Sequence, residues 1–208
     1  MKVKVCGITN YEDAALAVDF GADALGFNFY RPSPRYLEPS AARAIIRRLP
    51  PFVVSVGLFV NAARPGAVSS AARAAGVGVL QLHGDETPGY CRRLEGWPLI
   101  KALRVGAGFD AAGLEEYPVH AFLLDARDGA RYGGTGRVFD WSLAGPVQKL
   151  RPIILAGGLR PENVAEAIRT VRPYGVDVSS GVESRPGRKD RALLRAFIDE
   201  VRNASKSL

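Results

Sequence analysis

The chain has 208 residues, of which 47% are hydrophobic and 24% are charged. These values are typical of a folded domain with a buried core. No apolar run approaches the roughly 18 residues of a membrane span, and the charged first strand lacks the apolar region of a signal peptide. We therefore expect a cytoplasmic protein that has no membrane partner.

The net charge of +7 raises the question of nucleic-acid binding. The arginines are spread along the chain among Asp and Glu, on the polar faces of predicted helices. This distribution favours a solvated surface, so we expect no nucleic-acid partner, although the positive potential can attract an anionic small molecule. Two distant cysteines, Cys6 and Cys91, and only two histidines predict neither a disulfide framework nor a metal site.

Short apolar runs alternate with helical patterns from one end of the chain to the other. The predicted strands are residues 3–6, 24–28, 53–59, 79–82, 99–103, 121–125, 153–156 and 176–179. The predicted helices are residues 10–20, 40–49, 65–75, 87–94, a weak one near 111–116, 141–148, 161–170 and 190–203. Runs of Val, Ile and Leu between helices indicate a parallel sheet buried on both faces. Eight such units favour a single-domain (β/α)8 TIM barrel over residues 1–208, because an open doubly wound sheet needs fewer strands.

Cys6 ends the first predicted strand, and Gly7 lets the chain turn toward a helix that Thr9 or Asn10 can cap. A thiol that faces a helix amino terminus is in a position where its pKa can fall. Taken alone, a buried cysteine is more often an inert small hydrophobic residue. In a barrel of this type, however, the active site lies where the strands end, which favours a reactive role.

Asp125 ends the sixth predicted strand, just before a polar, glycine-rich segment. Loss of solvation at an apolar strand end favours the protonated form of a carboxyl group. The alternative is a carboxylate that caps a helix or pairs with Arg127 or Arg131. In a barrel, Cys6 and Asp125 come from well-separated strands, so a base and an acid can act on opposite sides of one substrate.

Glycine-rich turns follow the last two predicted strands. Gly157 and Gly158 come after the seventh strand, and Ser180 and Gly181 come after the eighth. Backbone N–H groups approach phosphate oxygens closely only where side chains do not obstruct them. Tight turns alone are the competing explanation, but barrels of this type bind phosphate after these two strands. We therefore expect a phosphorylated small-molecule substrate.

Other polar residues leave their roles open. Arg35 lies in a proline-rich loop, where it either aims its guanidinium at a substrate carboxylate or lies on the surface. His83 closes the fourth strand and is a candidate for substrate contact. Residues 133–136 are best explained as a loop that closes over substrate. We expect His120 at the opposite, stability face of the barrel and Cys91 in a structural position.

Short motifs, each one different, lie near almost every predicted strand. They are Lys4-Val5-Cys6-Gly7-Ile8-Thr9, Gly26-Phe27-Asn28-Phe29, Ser33-Pro34-Arg35-Tyr36, Gly57-Leu58-Phe59-Val60-Asn61, Gln81-Leu82-His83-Gly84, Leu124-Asp125, Gly133-Gly134-Thr135-Gly136, Phe139-Asp140-Trp141, Ala156-Gly157-Gly158-Leu159 and Asp177-Val178-Ser179-Ser180-Gly181-Val182-Glu183. In this order, across essentially the whole chain, they resemble the phosphoribosylanthranilate isomerase family of tryptophan biosynthesis. No motif position departs from the family pattern, and Val5 in the first strand, where isoleucine is common, is a harmless change.

The resemblance implies a cofactor-free Amadori rearrangement of N-(5-phosphoribosyl)anthranilate to the carboxyphenylamino deoxyribulose phosphate. Asp125 would be the general acid that protonates the furanose ring oxygen. Cys6 would be the general base that removes the C2 proton. This chemistry needs a deprotonated thiol beside a protonated carboxyl group, the reverse of their order in water. We expect the following helix amino terminus to lower the pKa of Cys6.

The resemblance also implies the contacts that hold the substrate. Arg35 would bind the anthranilate carboxylate, and the turns at residues 157–158 and 180–181 would bind the phosphate. Asp177 would lie near the sugar hydroxyls. Because the family includes monomers, dimers and fused domains, we expect either a monomer or a homodimer.

Two other classes of protein remain as alternatives. Another phosphosugar barrel, such as an indole-glycerol-phosphate synthase or a ribulose-phosphate epimerase, would keep the phosphate turns. It would be expected to place lysine, carboxylate or metal-binding groups at the strand ends, and these are not evident in the sequence. A non-enzymatic binder of anions or nucleic acid would need clustered basic residues and would have no use for Cys6.

Overall fold

The structure is a computed structural model that describes residues 1–126 and 140–206. Eight parallel strands follow one another around a closed barrel, with the first strand paired to the eighth. They are β1 (Lys2–Cys6), β2 (Ala24–Asn28), β3 (Val54–Phe59), β4 (Val79–Leu82), β5 (Leu99–Val105), β6 (Ala121–Ala126), β7 (Ile153–Leu155) and β8 (Gly175–Val178). The predicted TIM barrel is therefore confirmed.

Side chains alternate along each strand between the barrel interior and the helix layer. On β6, Phe122 and Leu124 belong to the large apolar cluster between the strands and the helices. Leu123 belongs instead to a second cluster inside the barrel, together with Ile100. Asp125 shares the face of Leu123, so its side chain points into the mouth of the barrel.

Seven α-helices surround the barrel in the part of the chain that is described. They are α1 (Tyr11–Phe20), α2 (Pro39–Ile46), α3 (Pro65–Ala75), α4 (Pro88–Arg92), α5 (Ala144–Gln148), α6 (Pro161–Val171) and α7 (Arg191–Ser205). The helix predicted near residues 111–116 is wrong, because only the 3-10 turn Leu114–Glu116 forms. It lies between Gly113, with a φ of 78°, and Pro118, which leaves too few residues to nucleate an α-helix. Within the described ranges, no helix has the length and apolar character needed to cross a bilayer.

The connection from β1 to α1 shows which of two predicted caps is used. Asn10 caps α1, since its side-chain oxygen accepts a hydrogen bond from the backbone N–H of Asp13 at 2.9 Å. Thr9 instead donates its hydroxyl to the carbonyl oxygen of Gly187 at 2.6 Å. The turn after β1 is thereby tied to a segment near the end of the chain.

That segment is a short antiparallel hairpin of β9 (Glu183–Arg185) and β10 (Arg188–Lys189), which was not predicted. The backbone N–H of Lys189 donates to Asp13 at 3.0 Å, which fixes the hairpin against α1. The hairpin brings Glu183 and Lys189 beside the carboxyl end of β1. Both residues contribute to the geometry of the site.

Candidate active site

A cavity of about 540 Å³ opens at the carboxyl end of the barrel. Every residue predicted for the site lines it: Cys6, Arg35, His83, Asp125, Gly157, Gly158, Asp177, Ser180 and Gly181. These residues are far apart in sequence, but parallel strands present all their carboxyl ends at one rim. The cavity therefore combines a thiol, two carboxyl groups, a guanidinium and two glycine-containing turns.

The thiol of Cys6 is buried at the end of β1, with 6% of the residue exposed. Gly26 on β2 leaves room for it, since a Cβ there would lie 2.7 Å from the Sγ atom. Burial raises the pKa of the Cys6 thiol, while the positive charges of Lys4 and Lys189 oppose the shift. The predicted lowering of this pKa by the helix amino terminus is therefore wrong, because desolvation is the larger effect.

A buried ion pair lies on the same face of β1 as Cys6. The ammonium nitrogen of Lys4 lies 2.9 Å from Oδ1 of Asp177 on β8, and only 5% and 8% of the two side chains are exposed. Burial raises the pKa of the Asp177 carboxyl group, and the charge of Lys4 opposes this change. Asp177 was predicted to lie near sugar hydroxyls, and its buried cationic partner was not anticipated.

Arg35 is held in place by Glu183 of the hairpin. Its Nε lies 2.9 Å from Oε1, and its Nη2 lies 2.6 Å from Oε2. Lys189 donates to the same carboxylate at 2.8 Å and to the carbonyl oxygen of Cys6 at 2.6 Å. The hairpin thus ties the Arg35 loop to the end of β1, and the guanidinium still lines the cavity.

Asp125 forms one end of a chain of three buried polar side chains. Its Oδ2 lies 3.0 Å from Nε2 of His83, and Nδ1 of His83 lies 2.9 Å from Nε2 of Gln81. A histidine between an amide and a carboxyl group has its tautomer determined by those two partners. The alternative pairing of Asp125 with Arg127 or Arg131 lies outside the described residues.

Tight backbone approaches explain the glycines in the two turns. Gly157 has a φ of 77°, and an added Cβ would lie 2.4 Å from the backbone nitrogen of Ala126. At Gly181 an added Cβ would lie 2.0 Å from the carbonyl oxygen of Leu159. The turns after β7 and β8 are therefore packed against each other at the cavity wall, where a side chain at either glycine would collide with neighbouring backbone.

His120 and Cys91 lie away from this cavity. His120 lines a second cavity at the amino end of the barrel, as expected for the opposite face. Cys91 is buried in α4, and burial raises the pKa of its thiol to about 11, which fits a structural role. The segment 133–136 lies outside the described residues. Across residues 1–126 and 140–206, no group of three or more His, Cys, Asp and Glu side chains could hold a metal ion.

Four buried polar residues around the cavity were missed by sequence reasoning: Lys4, Gln81, Glu183 and Lys189. Lys4 and Gln81 had a detectable signal, since each is a polar residue inside an apolar strand, on the same face as a predicted site residue. Glu183 ends the last motif of the resemblance, but its contact with Arg35 was not predicted. Lys189 had no signal, because it reaches the site through a hairpin whose contacts are distant in sequence.

Comparison with known proteins agrees with this architecture. The profile of the family described as N-(5'phosphoribosyl)anthranilate (PRA) isomerase matches residues 3–200. The chain belongs to the PRA isomerase family. It is therefore an isomerase with a TIM-barrel fold, and PRA isomerases act in tryptophan biosynthesis.

Relatives within the PRA isomerase family are similar over nearly all of this chain. The N-(5'-phosphoribosyl)anthranilate isomerase of Trichlorobacter lovleyi is 54% identical over 209 residues, which covers 100% of both chains. A PRA isomerase solved in complex with reduced 1-(o-carboxyphenylamino)-1-deoxyribulose 5-phosphate is 43% identical, with a TM-score of 0.86 over 98% of this chain and 99% of that one. Monomers generated from the dimeric enzyme of Thermotoga maritima are 42% identical, with the same TM-score and coverage.

Proposed function

We propose that the chain converts N-(5-phosphoribosyl)anthranilate to 1-(2-carboxyphenylamino)-1-deoxyribulose 5-phosphate by an Amadori rearrangement. The observation that carries this proposal is that the Cys6 thiol and the Asp125 carboxyl group line one cavity together with both glycine turns. The substrate has two reacting carbons and a phosphate at the far end of the sugar. A base, an acid and an anion site in one cavity match these needs.

Asp125 is the general acid in this proposal. Its O–H bond breaks as a new O–H bond forms on the furanose ring oxygen, and the bond between that oxygen and C1 opens. The anthranilate nitrogen supplies the electron pair, so a Schiff base forms at C1. The carboxylate left on Asp125 is buried, and His83 at 3.0 Å is its hydrogen-bond partner.

Cys6 is the general base. Its thiolate takes the proton from C2, the electron pair moves toward the Schiff base, and the resulting enolamine tautomerises to the ketone. The thiolate never bonds to carbon. Because burial disfavours the thiolate, the charge of Lys4 supports this role by opposing the desolvation of Cys6.

The cavity wall provides contacts for both ends of the substrate. Arg35 would bind the anthranilate carboxylate, since Glu183 already fixes the plane of its guanidinium. The backbone at residues 157–158 and 180–181 would bind the phosphate, because both turns line the cavity and three of these four residues are glycines, which let N–H groups approach an anion closely. Asp177 would contact a sugar hydroxyl through the oxygen that Lys4 does not occupy.

The decay of anthranilate fluorescence tests the activity directly. The purified chain, supplied with phosphoribosylanthranilate, should accelerate the decay, and a chelator should leave the rate unchanged. Activity of the 208-residue chain alone would also support the prediction that residues 1–208 form one catalytic domain. Decay at the uncatalysed rate, or activity only toward indole-glycerol phosphate or ribulose phosphate, would contradict the proposal. A cytoplasmic location remains a prediction from the sequence.

We also propose that two copies of the chain associate through the amino end of the barrel. Phe52, Val54 and Tyr174 are exposed large hydrophobic side chains around a second cavity of about 480 Å³, and Phe52 is 95% exposed. Such a patch is typical of a protein interface. The relative from Thermotoga maritima is described as dimeric. A homodimer would bury these side chains and leave the carboxyl end of each barrel open to substrate.

A further inference from the structure

Gln81 is a polar residue with no exposed surface, in the middle of β4. Its side-chain nitrogen lies 2.9 Å from Nδ1 of His83. Its oxygen Oε1 is buried and has no hydrogen-bond partner among the described residues. A buried acceptor without a partner costs free energy that an aliphatic side chain would not cost. The contact with His83 is what the amide provides and an aliphatic residue could not.

That contact determines where the proton of His83 lies. With the amide nitrogen of Gln81 facing the ring, as it does in this structure, Nδ1 of His83 is the acceptor and carries no proton. The single ring proton of the neutral imidazole is then on Nε2, which faces Oδ2 of Asp125 at 3.0 Å. His83 is thereby a fixed hydrogen-bond donor to one particular oxygen of Asp125.

The second oxygen of Asp125 has different surroundings. A Cβ added to Gly157 would lie 2.9 Å from Oδ1, so this oxygen lies against the turn that lines the cavity. Because a carbonyl oxygen accepts the N–H of His83 better than a hydroxyl oxygen does, this contact favours the proton of a protonated Asp125 on Oδ1. From there it faces the cavity, whereas a proton on Oδ2 would be held between Asp125 and His83.

We propose that Gln81 is a positioning residue, which fixes the Nε2–H tautomer of His83 so that Asp125 carries its acidic proton on Oδ1. The inference rests on the proposed role of Asp125 as the general acid. When Asp125 protonates the ring oxygen, the O–H bond on Oδ1 breaks, and the new carboxylate already accepts a hydrogen bond at Oδ2. No tautomer change is needed during the reaction.

The opposite orientation of the amide would have the opposite effect. With Oε1 facing the ring, Nδ1 would carry the proton, and the bare Nε2 would accept the proton of Asp125 on Oδ2. The carboxylate left after proton transfer would then face a lone pair instead of a donor. Only the Nε2–H tautomer therefore suits an acid that delivers its proton into the cavity.

Other charged groups around this chain of side chains already have partners. Asp177 on β8 influences both His83 and Asp125 electrostatically and is paired with Lys4. On β5, Lys101 is paired with Glu86 at 3.1 Å, and Arg104 contacts Asp85. The thiol of Cys6 on β1 is another titratable group that lines the cavity. The variants described below replace none of these ion-paired residues, so the surrounding ion pairs stay in place.

The tautomer can be read by NMR of protein labelled with 15N-histidine, because the chain contains only two histidines. His120 lies at the other end of the barrel, so a His120→Gln variant assigns the two rings without touching the site. At about pH 8, we expect the ring of His83 to carry a proton on Nε2 and none on Nδ1. A spectrum with the proton on Nδ1 would overturn the proposal.

Two further proteins isolate the contribution of Gln81 from that of the carboxylate. In Asp125→Asn the charge that favours Nε2–H is gone, yet Gln81 should still hold that tautomer. In the double variant Gln81→Met, Asp125→Asn, the ring should exchange between both tautomers. An unchanged Nε2–H spectrum in the double variant would show that Gln81 does not fix the ring.

Activity gives an independent test in the otherwise intact enzyme. Gln81→Met should lower kcat by about tenfold or more and change KM by less than about twofold, since the acid step rather than binding is affected. Leu82→Met is the matched control and should retain full kcat. It conserves volume on the same strand, and its side chain belongs to the apolar cluster between the strands and the helices. An unchanged kcat in Gln81→Met would contradict the inference. If Asp125→Asn were itself fully active, the proposed acid would be wrong, whatever the tautomer.

Discussion

Lys4 and Asp177 form a buried ion pair, with Nζ 2.9 Å from Oδ1, on the face of β1 that also carries Cys6. The ammonium group therefore has two neighbours that benefit from its charge, the carboxylate and the thiol. Burial raises the pKa of a thiol and so lowers the fraction present as thiolate. An adjacent positive charge lowers the pKa again and increases that fraction. Lys4 is thus an electrostatic partner of the proposed base, although it does not line the cavity.

Replacing Lys4 by methionine should raise the pKa of the Cys6 thiol further, because the charge that opposes desolvation is removed. The measurement is the pH dependence of iodoacetamide alkylation in a Cys91→Ala background, where Cys6 is the only thiol. Lys2→Met is the matched control. Lys2 lies on the same strand as Lys4, but its ion pair with Asp23 is at the surface. Equal alkylation midpoints for Lys4→Met and the control would contradict this role.

Cys6→Ser and Asp125→Asn should each lower kcat by about 10²- to 10⁴-fold, with a modest change in KM. The reason is that each removes a proton-transfer group while leaving the anion contacts of the substrate in place. Steady-state kinetics by anthranilate fluorescence gives both constants. Cys91→Ser serves as the control for loss of a thiol, and near-full kcat in either active-site variant would remove that residue from the proposed mechanism.

Gly26→Ala should lower kcat by roughly tenfold or more, because its Cβ would lie 2.7 Å from the Sγ atom of Cys6 and would displace the proposed base. Gly66→Ala is the matched control, since nothing lies within 4 Å of the added carbon in α3. The control should keep kcat, and its stability should change by less than about 1 kcal/mol, because Gly66 lies in the first turn of the helix. If both variants had the same kcat, close packing against Cys6 would not matter for the reaction.

Glu183→Gln should lower the free energy of unfolding by about 3 kcal/mol near neutral pH, since the buried charges of Arg35 and Lys189 lose their common partner. The cations hold the pKa of Glu183 below its ordinary value against the effect of burial. A carboxyl group whose pKa is lower in the folded state stabilises the fold at pH values above its unfolded pKa of about 4.5. This stabilisation is lost as the pH falls below that value and through the folded-state pKa.

Urea unfolding at several pH values measures this effect. The difference between the wild type and Glu183→Gln should be constant above about pH 5 and should shrink as the pH falls below that value. Glu162→Gln, which breaks an exposed pair with Arg160, should cost less than about 0.5 kcal/mol at any of these pH values. A difference between the wild type and Glu183→Gln that grows toward low pH would have the wrong sign for this explanation.

Phe52→Asp should shift the protein from dimer to monomer in sedimentation velocity experiments. The side chain is 95% exposed in the single chain, and an interface would surround a new carboxylate with apolar groups. Asp110→Asn, at an exposed position in the connection after β5 that does not line the second cavity, should leave the sedimentation coefficient unchanged. A wild-type protein that sediments as a monomer would contradict the proposed dimer.

The placement of Asp125 could be predicted because it follows from local rules. Strand alternation and the end of an apolar run fix the face and the rim on which its side chain lies, whatever surrounds it. The same reasoning was available for Gln81, a polar residue in a buried strand. The helix predicted near residues 111–116 shows the limit of this approach, because Gly113 and Pro118 restrict the segment to a single turn.

By itself, the sequence determined the order of the eight strands around the barrel, and it placed Cys6 and Asp125 at the carboxyl rim. Periodicity and strand ends are local properties, so they can be read from neighbouring residues. Only the tertiary structure decided the direction of the pKa shift at Cys6 and the partners of Arg35 and His83. Desolvation and hydrogen bonding depend on groups that are close in space but distant along the chain, and no local pattern contains that information.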